Sequence, residues 1–148
     1  MARVLIVGCG CRGRTLGRAL RERGHAVRGT SRSDAGRAAI EADGLEGVVA
    51  DPGRLATLLP QLQGVSALCW LLGTADAPEL RERFASLLEA LVDTHVHWVV
   101  YEARAATRAA RHASATYRMP VVAVTEPPDE PGRWLAAALE AVDSVLAA

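Results

Sequence analysis

Aliphatic runs and helical stripes alternate along this chain with a regularity that predicts its architecture before any motif is considered. Val4-Leu5-Ile6-Val7 is an unbroken apolar run ended by glycine, as expected of a strand covered on both faces. A helix follows to Arg23-Gly24, with glycine in the position where helices commonly turn left-handed and stop. His25 to Thr30 reads as a second strand that ends at Ser31-Arg32-Ser33. Ser33 or Asp34 then caps a helix running to about Asp43, with Gly44 as its stop. Gly47 to Ala50 is a third short strand. Asp51-Pro52 has the form of an N-cap and a first-turn proline, opening a third helix that reaches Gln63-Gly64. Val65 to Leu72 is nearly continuous apolar, a fourth strand ended by Gly73. Leu80, Phe84, Leu87, Leu88, Leu91 and Val92 then share one face of a helix, the clearest amphipathic stripe in the chain. His95 to Tyr101 is the fifth strand, Glu102 to Tyr117 an alanine-rich helix, and Met119 to Val124 the sixth strand. The stiff turn Pro127-Pro128-Asp129-Glu130-Pro131 leads into a last helix that buries Leu135, Ala138, Leu139, Val142, Val145 and Leu146.

Six strands alternating with six helices predict an α/β fold, a doubly wound and mostly parallel sheet with helices on both faces and right-handed crossovers. By resemblance to two-half dinucleotide-binding Rossmann folds, the expected strand order is 3-2-1-4-5-6. With 148 residues, 50% of them hydrophobic, the whole chain suits one domain around one core.

The junction after the first strand changes this from a fold into a candidate site. Gly8, Gly10 and Gly13 have the spacing G-x-G-x-x-G between a strand and a helix. In that context each lacks a Cβ for its own reason: a tight turn, close backbone approach to a pyrophosphate, and close helix-to-strand packing. The helix that follows would aim free N–H groups and its positive dipole end at the phosphates. Taken alone, the glycines serve equally to make a tight turn in a fold without ligand.

Charge and composition narrow the partners. The seventeen basic residues are all arginine and balance seventeen acids, so there is no basic excess for nucleic acid. No lysine is present to act as base, Schiff-base former or phosphate ligand. Cys9, Cys11 and Cys69 are odd in number and lack metal-ligand spacing. They read as small packing residues, and no metal is expected. No apolar run approaches the roughly 20 residues that span a bilayer, and no leader is expected ahead of the first strand. A soluble, cytoplasmic protein is therefore expected, with no nucleic acid and no membrane as partner, a small-molecule substrate of unknown identity, and a homodimer left open.

Ligands of such sheets bind outside the carboxyl ends of the strands, near the switch between strands 1 and 4. At the end of strand 2, where NAD-binding proteins place an acid on the ribose hydroxyls, stand Ser31 and Arg32. A hydroxyl and a guanidinium there suit the 2′-phosphate of NADP, which an acid would repel. A solvated arginine opening a loop is the plainer reading. Arg28 and Arg37 are further cations nearby in sequence. Asp51, ending strand 3, either accepts from an adenine amine or only caps the next helix. Leu72, Gly73 and Thr74 would pass beside the nicotinamide ribose, or merely stop strand 4. Tyr101 and Glu102, ending strand 5, are the candidate catalytic acid–base pair. His95 and His97 share a strand face, but at its amino end. Arg104, Arg108 and Arg111 form a solvated stripe opposite Ala105, Ala106, Ala109, Ala110 and Ala113.

Gly8-Cys9-Gly10-Cys11-Arg12-Gly13, Gly29-Thr30-Ser31-Arg32, Ala50-Asp51-Pro52 and Leu71-Leu72-Gly73 together resemble the atypical and extended short-chain dehydrogenase/reductase superfamily, including its NmrA-like members. The resemblance covers roughly the first half of the chain, and the order of elements throughout. It implies NADP(H), preferred over NAD(H), held by Gly8, Gly10, Cys11, Arg12, Gly13, Thr30, Ser31, Arg32, Asp51, Leu72 and Gly73. The superfamily's catalytic tyrosine is followed four positions later by lysine. Here Tyr101 is followed, four positions later, by Ala105 and Tyr117 by Val121, and because the sixth strand and last helix use up the chain, the usual C-terminal substrate-binding segment is not expected. Two functions are expected: a small NADP-dependent oxidoreductase whose cofactor carries the hydride chemistry, or a nucleotide-binding sensor without turnover. The second resembles the ligand-binding domains of potassium-uptake regulators, which share the Gly24-His25 turn but carry an acid where Ser31 stands.

Overall fold

The computed structural model describes residues 2–72 and 78–147. Its elements run β1 (Arg3–Val7), α1 (Cys11–Glu22), β2 (Ala26–Ser31), α2 (Asp34–Ala42), β3 (Glu46–Val49), α3 (Leu55–Leu58), β4 (Ala67–Trp70), α4 (Pro78–Leu91), β5 (Trp98–Glu102), α5 (Ala103–Tyr117), β6 (Val121–Val124) and α6 (Pro131–Leu146). The strands form one parallel sheet in the order β3-β2-β1-β4-β5-β6, as the sequence led us to expect. β1 lies between β2 and β4, with Ile6 opposite both Gly29 and Cys69.

Strand periodicity divides the core into two layers. Leu5, Val7, Leu68, Trp70, Val99 and Tyr101 face one side, packed on Leu58 of α3, Phe84, Leu87, Leu88 and Leu91 of α4, and Ala110 and Ala113 of α5. Val4, Ile6, Cys69 and Val100 face the other, packed on Leu16 and Leu20 of α1, Ile40 of α2, and Trp134, Ala138 and Val142 of α6. The alanine face expected for α5 is thus buried at Ala110 and Ala113, while Arg108 and Arg111 are exposed. On the first face the rings of Trp70, Phe84 and Tyr101 form a chain, with centroids 4.9 Å and 5.7 Å apart.

Three expectations shift. The third helix does not start at Pro52: α3 begins at Leu55, lasts one turn, and tightens into a 3-10 turn over Leu59–Leu62 that contains Pro60. β5 starts at Trp98 rather than His95 and takes in Glu102, which the alanine-rich pattern places in the following helix. β4 is shorter at both ends than the apolar run that contains it, although Val65 and Leu71 on its flanks are buried and the Leu71 N–H still donates to the Val7 carbonyl at 2.9 Å. Among the described residues no helix is long and apolar enough to cross a membrane.

Phe84 is fully buried between the two other rings, so Phe84→Ala removes both a large side chain and the ring contacts. We expect a loss of about 3–5 kcal/mol in urea unfolding. Val92→Ser, at an exposed position of the same amphipathic stripe, should stay within about 0.5 kcal/mol. Equal losses at the two positions would show that α4 is not held through this ring chain.

Candidate functional site

β1 delivers the chain to the centre of the sheet's carboxyl edge, where it must turn sharply to start α1. Gly8 makes that turn at φ +81°, and a Cβ there would stand 2.9 Å from the Leu71 carbonyl oxygen. The Gly8 N–H is within reach of Thr30 Oγ1 at 3.4 Å, and the Cys9 N–H donates to the Thr30 carbonyl at 3.1 Å. Thr30, itself buried, thereby braces the loop on β2. A Cβ at Gly13 would meet the Gly8 carbonyl oxygen and the Ile6 side chain, each at 3.2 Å, so glycine there lets α1 pack close to β1. A Cβ at Gly10 would meet nothing within 4 Å. The three glycines therefore divide into a turn, an open approach and a close packing.

Cys9 points away from solvent and occupies the space that glycine leaves at position 29, where a Cβ would come within 2.6 Å of Sγ. Burial pushes its thiol up to about 12, with partial opposition from the Arg14 guanidinium. Burial does the same to Cys69, also to about 12. Both are neutral packing groups at any ordinary pH, whereas Cys11 is exposed at the start of α1. No acid occupies the first turn of that helix to compete for its N-terminal field.

Beside the loop lies a cleft of about 220 Å³, lined by Gly8, Cys9, Thr30, Ser31, Arg32, Ala50, Pro52 and Leu72. It brings together the glycine turn and the ends of β2, β3 and β4. Ser31 is half-buried, and its Oγ accepts from the Ser33 N–H at 3.3 Å, which leaves the hydroxyl proton to donate. Ser33 caps α2, accepting from the Gly36 N–H at 3.0 Å. Arg32 is exposed, and among the described residues it forms no ion pair. Ala50 and Pro52 line the cleft although neither carries chemistry to betray it in sequence; only their position at the end of β3 could have indicated them.

Other candidates sit elsewhere. Asp51 caps no helix: its Oδ1 accepts from the Gly53 N–H at 2.9 Å in a local turn, and its own N–H donates to Thr57 Oγ1 at 2.8 Å. α3 starts later, after Arg54. Gly73 and Thr74 lie outside the described residues. Arg28 is buried and donates to the Gln61 carbonyl at 2.6 Å, with Glu46 beside it, while Arg37 pairs with Glu41 at 3.0 Å on α2. Neither extends the charge of Arg32. His95 and His97 precede β5 at the opposite edge, and among the described residues no three metal-ligating side chains come together.

Tyr101 and Glu102 do not form a pair. As neighbours in a strand they point to opposite faces. Tyr101 packs on Phe84 in one layer. Glu102, 5% exposed, receives Arg12 Nη2 at 2.7 Å, and the Arg12 guanidinium lies 5.4 Å from the Trp134 ring centroid in the layer of α1 and α6. Arg12, expected at the phosphates, is thus directed to β5 and α6.

No protein-family model and no curated protein sequence matches the chain. Solved structures do. Triphenylmethane reductase from Citrobacter sp., complexed with NADP(H), superposes with TM-score 0.65 at 20% identity, over 80% of this chain and 47% of that one. A short-chain dehydrogenase/reductase superfamily protein from Agrobacterium tumefaciens with bound NAD gives TM-score 0.54 at 28% identity, over 68% of this chain and 32% of that one. UDP-N-acetylglucosamine 4-epimerase from Bacillus cereus gives 0.56 at 19%, over 69% and 35%. The chain spans less than half the length of these three proteins. Its parallel sheet and strand order are those of the Rossmann-like fold shared with these solved structures.

Proposed function

We propose that the chain binds NADP(H) in the cleft at the carboxyl edge of β1, β2 and β4, and serves as a small oxidoreductase. The observation that carries this is the cleft between the Gly8 turn and the end of β2, lined by a half-buried Ser31 and by Arg32, which forms no ion pair among the described residues, together with the open space over Gly10. Backbone N–H groups of the first turn of α1 would meet the pyrophosphate. The Ser31 hydroxyl and the Arg32 guanidinium would hold the 2′-phosphate, and Ala50 and Pro52 offer an apolar wall to an adenine ring. When bound, the nicotinamide supplies the hydride chemistry. The chain's own part is to bind and orient it.

A second reading, nucleotide binding without turnover, is favoured by one observation: Tyr101 is 5% exposed and packed against Phe84 in the core. A panel of carbonyl and quinone substrates followed by NADPH absorbance separates the two. Oxidation above the protein-free rate supports the oxidoreductase, and its absence across the panel with cofactor bound supports the sensor. Activity that survives both Tyr101→Phe and Glu102→Gln would exclude a proton-transfer role for either residue.

Gly10→Val should abolish NADPH binding by titration calorimetry while circular dichroism stays unchanged, because the side chain enters space the protein itself does not use. Unchanged affinity would remove the loop from the site. Cofactor choice follows from charge. A charge-assisted hydrogen bond contributes about 1.5–3 kcal/mol, or about 10- to 150-fold in affinity. NADPH should bind more tightly than NADH by that factor, Arg32→Ala should erase most of the gap, and Ser31→Asp should reverse it. Equal affinities in the unmodified protein would overturn the NADP preference.

A further inference from the structure

Every arginine near the phosphate end of α1 is already paired with an acid from another element. Arg12 meets Glu102 of β5 at 2.7 Å, Arg14 meets Asp43 at 3.0 Å, and Arg18 meets the same carboxylate at 3.4 Å. The first of these is the least exposed to water: the Glu102 side chain is 7% exposed, that of Arg12 is 27%, and Trp134 covers the guanidinium from α6. A carboxylate held this deep against a guanidinium is much harder to separate from it than a surface pair. Arg12 does not line the cleft, although it stands between Gly10 and Gly13 in the loop itself.

We propose that Glu102 is a positioning residue for the phosphate loop: it draws Arg12 inward, so that the loop meets a pyrophosphate with backbone N–H groups and the helix end, and with no side-chain cation. The one charge in the loop's side chains, that of Arg12, is then balanced by Glu102. Among the described residues that line the cleft, charge recognition of the cofactor then falls to Arg32. This rests on the cofactor reading given above and adds to it a division of labour between the two ends of the ligand.

NADH, which lacks the 2′-phosphate, isolates the pyrophosphate end. Its affinity is measured at low and high salt in the unmodified protein, in Glu102→Gln, and in the neutral double variant carrying Arg12→Met and Glu102→Gln. If Glu102 holds Arg12 inward, the unmodified protein and the double variant share the same weak salt dependence. Glu102→Gln alone frees the guanidinium, so its affinity falls by at least about twofold more across the same salt range, because an attraction at an exposed site is screened. A double variant with a shallower salt dependence than the unmodified protein would mean that Arg12 already touches the pyrophosphate, and would overturn the proposal. So would a Glu102→Gln protein that behaves like the unmodified one. Should Glu102→Gln fail to fold, the comparison of the double variant with the unmodified protein decides alone. If the unmodified protein binds neither NADPH nor NADH, the cofactor reading fails. The pairing itself is then judged by melting temperature, where recovery in the double variant relative to both single ones upholds it and additive losses overturn it.

Discussion

Val4, Leu5, Ile6 and Val7 have no face left for water: each is fully enclosed, alternately by the layer of α3, α4 and α5 and by that of α1, α2 and α6. Burying such side chains contributes about 1.5–3 kcal/mol apiece, which holds β1 in the middle of the sheet. With β2 on one flank and β4 on the other, the chain leaves β1 at the point where the crossovers diverge and a crevice must open. Gly8 turns there because neither the Leu71 carbonyl nor the Leu72 side chain gives room for a Cβ. The cleft beside it is a consequence of topology before it is a matter of any functional side chain.

This explains what could be read from the sequence. Strand order, the glycine loop and the positions of Ser31 and Arg32 depend on strong local patterns that tertiary packing reinforces. The start of α3 was misread because Asp-Pro serves turns as well as helix starts, and the choice was made by Thr57 and Gly53, whose hydrogen bonds tie Asp51 into a turn. The supposed pairing of Tyr101 with Glu102 needed no structure to reject it, since alternation along a strand already separates neighbours. The partnership of Arg12 with Glu102 spans 90 positions in sequence and leaves no local trace. A guanidinium in a phosphate loop reads as a ligand until its neighbour across the sheet is known.

Cations around the site are sorted by burial. Arg12, Arg14 and Arg18 of α1 are matched by acids brought from β5 and from the end of α2. Arg28 is spent on the Gln61 carbonyl and on Glu46. Arg32 remains at the mouth, in water, where a guanidinium keeps its charge at little desolvation cost and stays available to an anion. A net charge of zero for the chain therefore says little about the local field that a phosphate would meet.

α1 is fastened to α6 at both ends, by Arg12 against Trp134 and by Arg23 Nη1 donating to Asp143 Oδ2 at 2.6 Å. The two helices lie more than a hundred positions apart. During synthesis β1 and α1 emerge before α6, with Ile6, Leu16 and Leu20 lacking part of their apolar cover until Trp134, Ala138 and Val142 arrive. Contacts of such long sequence separation form late and slowly, and an uncovered apolar face invites association with other chains meanwhile. The glycine loop is thus made well before the helix that covers it, and it acquires its final shape only once α6 has arrived.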